Sequence, residues 1–173
     1  MPGMSTTDMT DRTPVSELLD RIKVNWPEAV AVETDVVFAT FRLHELVRMR
    51  TEKALAAFDL SHAAFEILVA LRAQPEPRQV TPTELYRSAL LSSGGTTKIL
   101  IQLEERGLVE RTPNPGDGRS KLVKLTASGA EVAEAAMADV MFQDTTLFSK
   151  AFEEHDLTNL RGALLSALDR LSK

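Results

Sequence analysis

Between Thr81 and Leu125 the apolar spacing switches from helical to alternating within a short span, and no other stretch limits the fold as tightly. Thr81-Pro82-Thr83-Glu84 places a capping Thr before a Pro at the first helical position and a Glu at the third. The Thr and Glu side chains can each accept from an amide that has no partner inside the helix, which predicts a helix from Pro82 to about Leu90. Leu91-Ser92-Ser93-Gly94-Gly95 breaks it and offers a Ser cap to a second helix that runs to Gly107. On that helix Leu100 and Leu103 face inward with Ile99 beside them, and Gly107 stands where a left-handed residue is wanted after the last turn. Leu108-Val109-Glu110-Arg111-Thr112 and Lys121-Leu122-Val123-Lys124-Leu125 then read as short strands around Pro113-Asn114-Pro115-Gly116-Asp117-Gly118-Arg119-Ser120, a β-hairpin with a long tip.

The flanks are helical. Residues 1 to 12 carry no apolar period and are expected to form a disordered leader. Pro14 suits a first helical turn, and Leu18, Leu19 and Ile22 share one face before Trp26-Pro27 stops the helix. From about Glu33 to Phe58, Val36, Leu43, Val47, Ala54 and Phe58 recur at helical spacing along one amphipathic helix. Ser61 caps a third helix carrying Phe65, Leu68, Val69 and Leu71, which ends before Gln74-Pro75-Glu76-Pro77. Thr126 caps another that reaches about Phe148. A last helix from about Asp156 lines up Leu157, Leu160, Leu164, Leu168 and Leu171, a stripe that suits either ordinary core or a dimer seam.

Five helices, two strands and two helices make a mainly α chain with a small β-hairpin wing, a winged helix-turn-helix. Its expected regions are N-terminal helices over 13–60, the winged domain over 61–126 and C-terminal helices over 127–173. With 173 residues and 43% hydrophobic composition, one compact unit is expected.

Charge and composition narrow the function. The net charge is −5, yet from Ser61 to Thr126 nine basic residues stand against seven acidic ones, so the acids gather at the two ends. Lys98, Arg111, Arg119, Lys121 and Lys124 fall in this middle segment, which is therefore where a phosphate partner would be met. Cysteine is absent, which removes disulfides, thiol nucleophiles and thiol redox sensing together and fits a cytoplasmic location. No apolar run is long enough to span a bilayer, so no membrane partner is expected. His44, His62 and His155 lack metal-ligand spacing, so no metal or other cofactor is expected. Gly94-Gly95-Thr96-Thr97-Lys98 ends in Ile99 where a phosphate-binding loop needs Ser or Thr. Glu104-Glu105 has no nucleophile or histidine placed to work with it, and no catalytic residue is identified.

In a helix-turn-helix the second helix enters the major groove, and a hairpin tip can reach phosphates or the adjacent minor groove. Lys98 and Gln102 point away from Leu100 and Leu103, Thr97 flanks them, and Ser92, Ser93 and Thr96 lie at the helix N-terminus. Arg119 follows Gly116 and Gly118 near the hairpin tip, with Asp117 close enough in sequence to orient its guanidinium and Lys121 just beyond. Arginine suits a narrow, electronegative minor groove.

Leu91 to Thr97, Leu103 to Arg111, Asp117-Gly118-Arg119-Ser120 and Val123 to Gly129 resemble the signature blocks of MarR-type transcription regulators over roughly residues 33 to 171. The resemblance implies a homodimer built from the terminal helices, which would serve as dimerisation helices. It also implies a recognition helix over Ser92 to Gln102, a wing whose Asp117 and Arg119 approach the minor groove, and repression relieved by a small aromatic or anionic effector. The extra helix ending in Trp26-Pro27-Glu28 resembles the urate-responsive branch. Its ligand positions would fall on Trp26, Glu66, Ile99 and Arg111, with Ile99 standing where an anion-binding arginine is expected. The rival function for such a fold is a protein-assembly module without DNA binding, whose affinity for duplex DNA would be absent or insensitive to salt.

Overall fold

In chain order the helices and strands are α1 (Val15–Asn25), α2 (Val32–Leu55), α3 (His62–Arg72), β1 (Gln79–Val80), α4 (Pro82–Ser88), α5 (Thr96–Glu105), β2 (Val109–Pro113), β3 (Lys121–Leu125), α6 (Ala127–Ala151) and α7 (Glu154–Leu171). The computed structural model describes residues 12–88, 96–117 and 120–172, with the backbone alone for residues 86–88 and 96. Among the described residues, no single helix is long and apolar enough to cross a membrane.

Two units make up the chain, Met1–Arg48 and Met49–Lys173, where composition predicted one. The reason lies in α2, whose buried residues are Thr51, Ala54 and Leu55, all in its last two turns. The stripe predicted along this helix is therefore buried only at its end: Val36 is exposed while Ala54 is buried. In the first unit, Trp26 closes α1 by donating its amide to the Ile22 carbonyl (2.7 Å), and a single 3₁₀ turn over Pro27–Ala29 follows. Glu45 accepts from both Arg12 and Arg42, and Arg42 also reaches the Thr13 carbonyl (3.2 Å). Val24, Trp26, Val32 and Phe41 remain exposed.

In the second unit the predicted caps form. The Ser61 hydroxyl accepts from the Ala64 amide (3.1 Å) and starts α3. Thr81 and Glu84 close the reciprocal box: the Thr81 amide donates to Glu84 Oε2 (2.9 Å) and the Glu84 amide to Thr81 Oγ1 (3.2 Å). After α5, Gly107 takes φ +69°. The Leu108 amide reaches the Leu103 carbonyl and the Gly107 amide that of Glu104, both at 2.9 Å, the paired bonds of a left-handed helix end.

The hairpin of β2 and β3 gains a third strand that local sequence signals did not predict. β1 pairs antiparallel with β3 (Gln79 opposite Lys124, Val80 opposite Val123), giving the order β1-β3-β2. Helices and sheet enclose one core in which Leu55, Ile67, Leu68, Leu71, Leu85, Leu103 and Val123 are fully buried. The C-terminal helices run slightly longer than predicted, α6 to Ala151 and α7 from Glu154. The α7 stripe is not core: Leu164, Leu168 and Leu171 are exposed.

Candidate nucleic-acid interface

α5 separates its faces sharply. Leu100 and Leu103 are buried at 3% and 1% exposure, anchoring the helix, while Thr97, Lys98, Ile101 and Gln102 are exposed. Ten residues rising 1.5 Å each make a rod of about 15 Å, short enough to lie in a major groove. Charge is graded along it. Lys98 stands in the first turn, and Glu104 and Glu105 close the last, so the N-terminal half is the end that tolerates phosphate.

An ion pair ties the acidic end to the sheet. Arg111 on β2 places Nε 3.1 Å from Glu104 Oε2, so this guanidinium, predicted as an effector contact, is engaged with α5. Glu66, the second predicted effector contact, has Oε1 3.7 Å from His62 Nε2. Trp26, the third, ends α1 at 63% exposure. Across the wing base, Lys124 and Glu110 face one another in register and pair at 2.8 Å.

The wing tip owes its shape to a residue the sequence reading passed over. Asn114 Oδ1 accepts from the Gly116 amide (3.0 Å), and Asn114 Nδ2 donates to the Ser120 hydroxyl (2.8 Å). The Asp117 amide reaches the Asn114 carbonyl (3.2 Å), and the Ser120 amide the Asp117 carbonyl (3.0 Å). The signal was available, since an Asn opening an Asn-Pro-Gly-Asp run is a strong turn former. Asp117 and Lys121 are both exposed, flanking this turn. Ser92, Ser93 and Arg119 lie outside the described residues, and of Thr96 only the backbone is described. Among the described residues there is no group of three or more His, Cys, Asp or Glu that could hold a metal ion.

A short helix exposing polar side chains, preceded by a second short helix and followed directly by an antiparallel hairpin, defines a winged helix-turn-helix protein. The sequence pattern of the MarR family matches residues 58–120. Over 157 residues the chain is 27% identical to the transcriptional regulator PecS of Dickeya dadantii, covering 90% of this chain and 93% of PecS. It is 31% identical to the HTH-type transcriptional regulator YdcH of Bacillus subtilis, over 70% of this chain and 78% of YdcH. A mutant MarR of Escherichia coli, solved in complex with operator DNA, superposes with a TM-score of 0.66 at 26% identity, over 80% of this chain and 99% of that one. The chain belongs to the MarR family of transcriptional regulators.

Proposed function

We propose that this regulator binds a pseudo-palindromic operator as a homodimer, with the N-terminal half of each α5 in a major groove and each wing at the neighbouring minor groove. The observation that carries the reading is α5 itself, anchored by Leu100 and Leu103 and exposing Thr97 and Lys98 at its basic end and Gln102 a turn further on. Two such helices related by a two-fold axis address half-sites about 10 base pairs apart. The exposed leucines of α7 supply an apolar face suited to a second copy, which supports a dimerisation role for 127–173; residues 13–60 are given to dimerisation and the ligand side and 61–126 to DNA. The E. coli relative crystallised on its operator supports the DNA partner. The protein acts in the cytoplasm by occupancy rather than catalysis, repressing by blocking polymerase. A small aromatic or anionic effector releases it by favouring a conformation that no longer fits DNA. Trp26, Glu66 and Arg111 are its proposed contacts, Ser92, Ser93, Thr96 and Lys121 further contacts to DNA, and Asp117 and Arg119 the wing's.

Fluorescence anisotropy tests the reading, using a duplex selected by the protein from a randomised pool, a scrambled control and a salt series. Binding that prefers the selected duplex, weakens with salt and falls in Arg119→Ala supports it. Failure to select any duplex, or binding indifferent to sequence and salt, overturns it in favour of an assembly module.

A further inference from the structure

The long helix α2 continues into a 3₁₀ turn over Ala56–Phe58 and ends in an uncommon way. Asp59, not glycine, occupies the left-handed position at φ 51°, with the Leu60 amide on the Leu55 carbonyl (3.2 Å) and the Asp59 amide on that of Ala56 (3.3 Å). These bonds satisfy two of the carbonyls at the helix end and leave those of Phe58 and Asp59 pointing onward. Both are taken by one side chain. Arg106, which follows the last residue of α5, donates from Nη1 to the Asp59 carbonyl (2.6 Å) and from Nη2 to the Phe58 carbonyl (2.9 Å).

The chemistry fits this side chain closely. A helix C-terminus carries partial negative charge on its unpaired carbonyls, and a planar guanidinium can donate to two neighbouring acceptors at once, whereas an ammonium is a point donor. Apolar packing through Leu100 and Leu103 holds the inner face of α5 against the core. The Arg106 fork is directional. It binds the end of the recognition helix to the end of α2, while the Arg111–Glu104 pair binds the same turn to β2.

The geometry points to Arg106 as a positioning residue for DNA recognition: its fork on the Phe58 and Asp59 carbonyls fixes the pitch at which α5 presents Thr97, Lys98 and Gln102, without touching DNA itself. Arg106 lies eight positions beyond Lys98, about 12 Å along the axis, and four beyond Gln102, about 6 Å. The inference rests on the DNA-binding reading above.

Wild type, Arg106→Ala and Arg106→Lys are compared for affinity to the selected duplex across a salt series and for melting temperature, beside Arg72→Ala, which removes an exposed pair with Glu134 between α3 and α6. Arg106→Ala is expected to bind about tenfold more weakly, roughly 1.4 kcal/mol, with the slope of log affinity against log salt unchanged. Arg106→Lys, able to satisfy one carbonyl at a time, falls between the two, and Arg72→Ala binds as wild type does. A slope smaller by about two per dimer would make Arg106 a phosphate contact and overturn the proposal. So would wild-type affinity in a folded Arg106→Ala, or an Arg106→Lys indistinguishable from wild type if the alanine variant does not fold. A wild type with no preference for the selected duplex would instead sink the DNA-binding reading on which the inference stands.

Discussion

Two glycines in helices, Gly129 and Gly162, should respond to alanine with opposite signs. Helical preference alone favours alanine at either position by about 0.5–1 kcal/mol. At Gly162 in α7 a Cβ would meet nothing within 4 Å, and the position is off the leucine stripe, so the full preference should be realised. At Gly129, in the first turn of α6, a Cβ would sit 1.9 Å from the Leu108 carbonyl oxygen and 2.9 Å from both the Leu108 carbonyl carbon and Leu125 Cδ1. Two of those three atoms are backbone at the base of the wing and cannot swing aside. Forcing bulk into a packed site costs about 1–3 kcal/mol, and a backbone clash belongs at the upper end, so a net loss of about 2 kcal/mol is expected. For a chain of this length that corresponds to about 4–8 °C in melting temperature, against a rise of about 1–4 °C for Gly162→Ala. Urea midpoints and thermal scans at one fixed protein concentration measure both, the fixed concentration being needed because dimerisation feeds into apparent stability. Gly129→Ala should also weaken operator binding, since the clash displaces Leu108, which leads into the wing. A Gly129→Ala protein as stable as wild type would refute the close approach of α6 to Leu108 and the argument built on it.

Lys98→Ala should weaken binding to selected and scrambled duplexes alike and reduce the salt slope by about one per protomer, the signature of a lost phosphate contact. An unchanged slope would take Lys98 out of the interface. Asp144 on α6 has a pKa raised above its ordinary 3.8 because burial disfavours the charged carboxylate, and its Oδ1 is buried with no hydrogen-bond partner among the described residues. A raised folded-state pKa means stability that is present in acid and lost as pH rises through the folded value. Asp144→Asn should therefore be more stable than wild type at neutral pH, with the difference closing as pH falls towards 3.8; urea midpoints at a series of pH values test it, and a difference independent of pH would count against the assignment.

Much of the fold was legible because it is set by neighbours in sequence. Ser61, Thr81 with Glu84, and Thr126 mark helix starts through bonds to residues three positions away, and Gly107 marks an end through its own backbone freedom. β1 was not legible: two residues carry no periodicity, and Gln79 and Val80 become a strand only because β3 lies alongside. Nor was the exposed first half of α2, since apolar spacing reports a stripe but not what covers it. In the site, the outward placement of Thr97, Lys98 and Gln102 follows from helical geometry once Leu100 and Leu103 are taken as core. Arg106 was missed because its acceptors lie far away in sequence and are carbonyls, which every residue possesses. Asp59 in a left-handed conformation was missed for a related reason, as glycine is the usual sign of such a turn.

One hydroxyl closes the base of the wing. Thr126 Oγ1 accepts from the Gly129 amide (2.9 Å) and donates to the Gly107 carbonyl (2.8 Å), while the Thr126 amide bonds to the Leu108 carbonyl (3.2 Å). Thr126 thus ties the start of α6 to the chain entering the hairpin, while the strands are anchored separately by the pairing of β3 with β1 and by the buried Val109, Val123 and Leu125. Loop closure costs little more for a longer loop than for a shorter one. The tip beyond these anchors can therefore gain or lose residues, or change its charge, without disturbing α5 behind it. Selection acting on this chain has two separable parts to work with: a tip whose length and charge can vary, and a base of glycine and threonine that cannot.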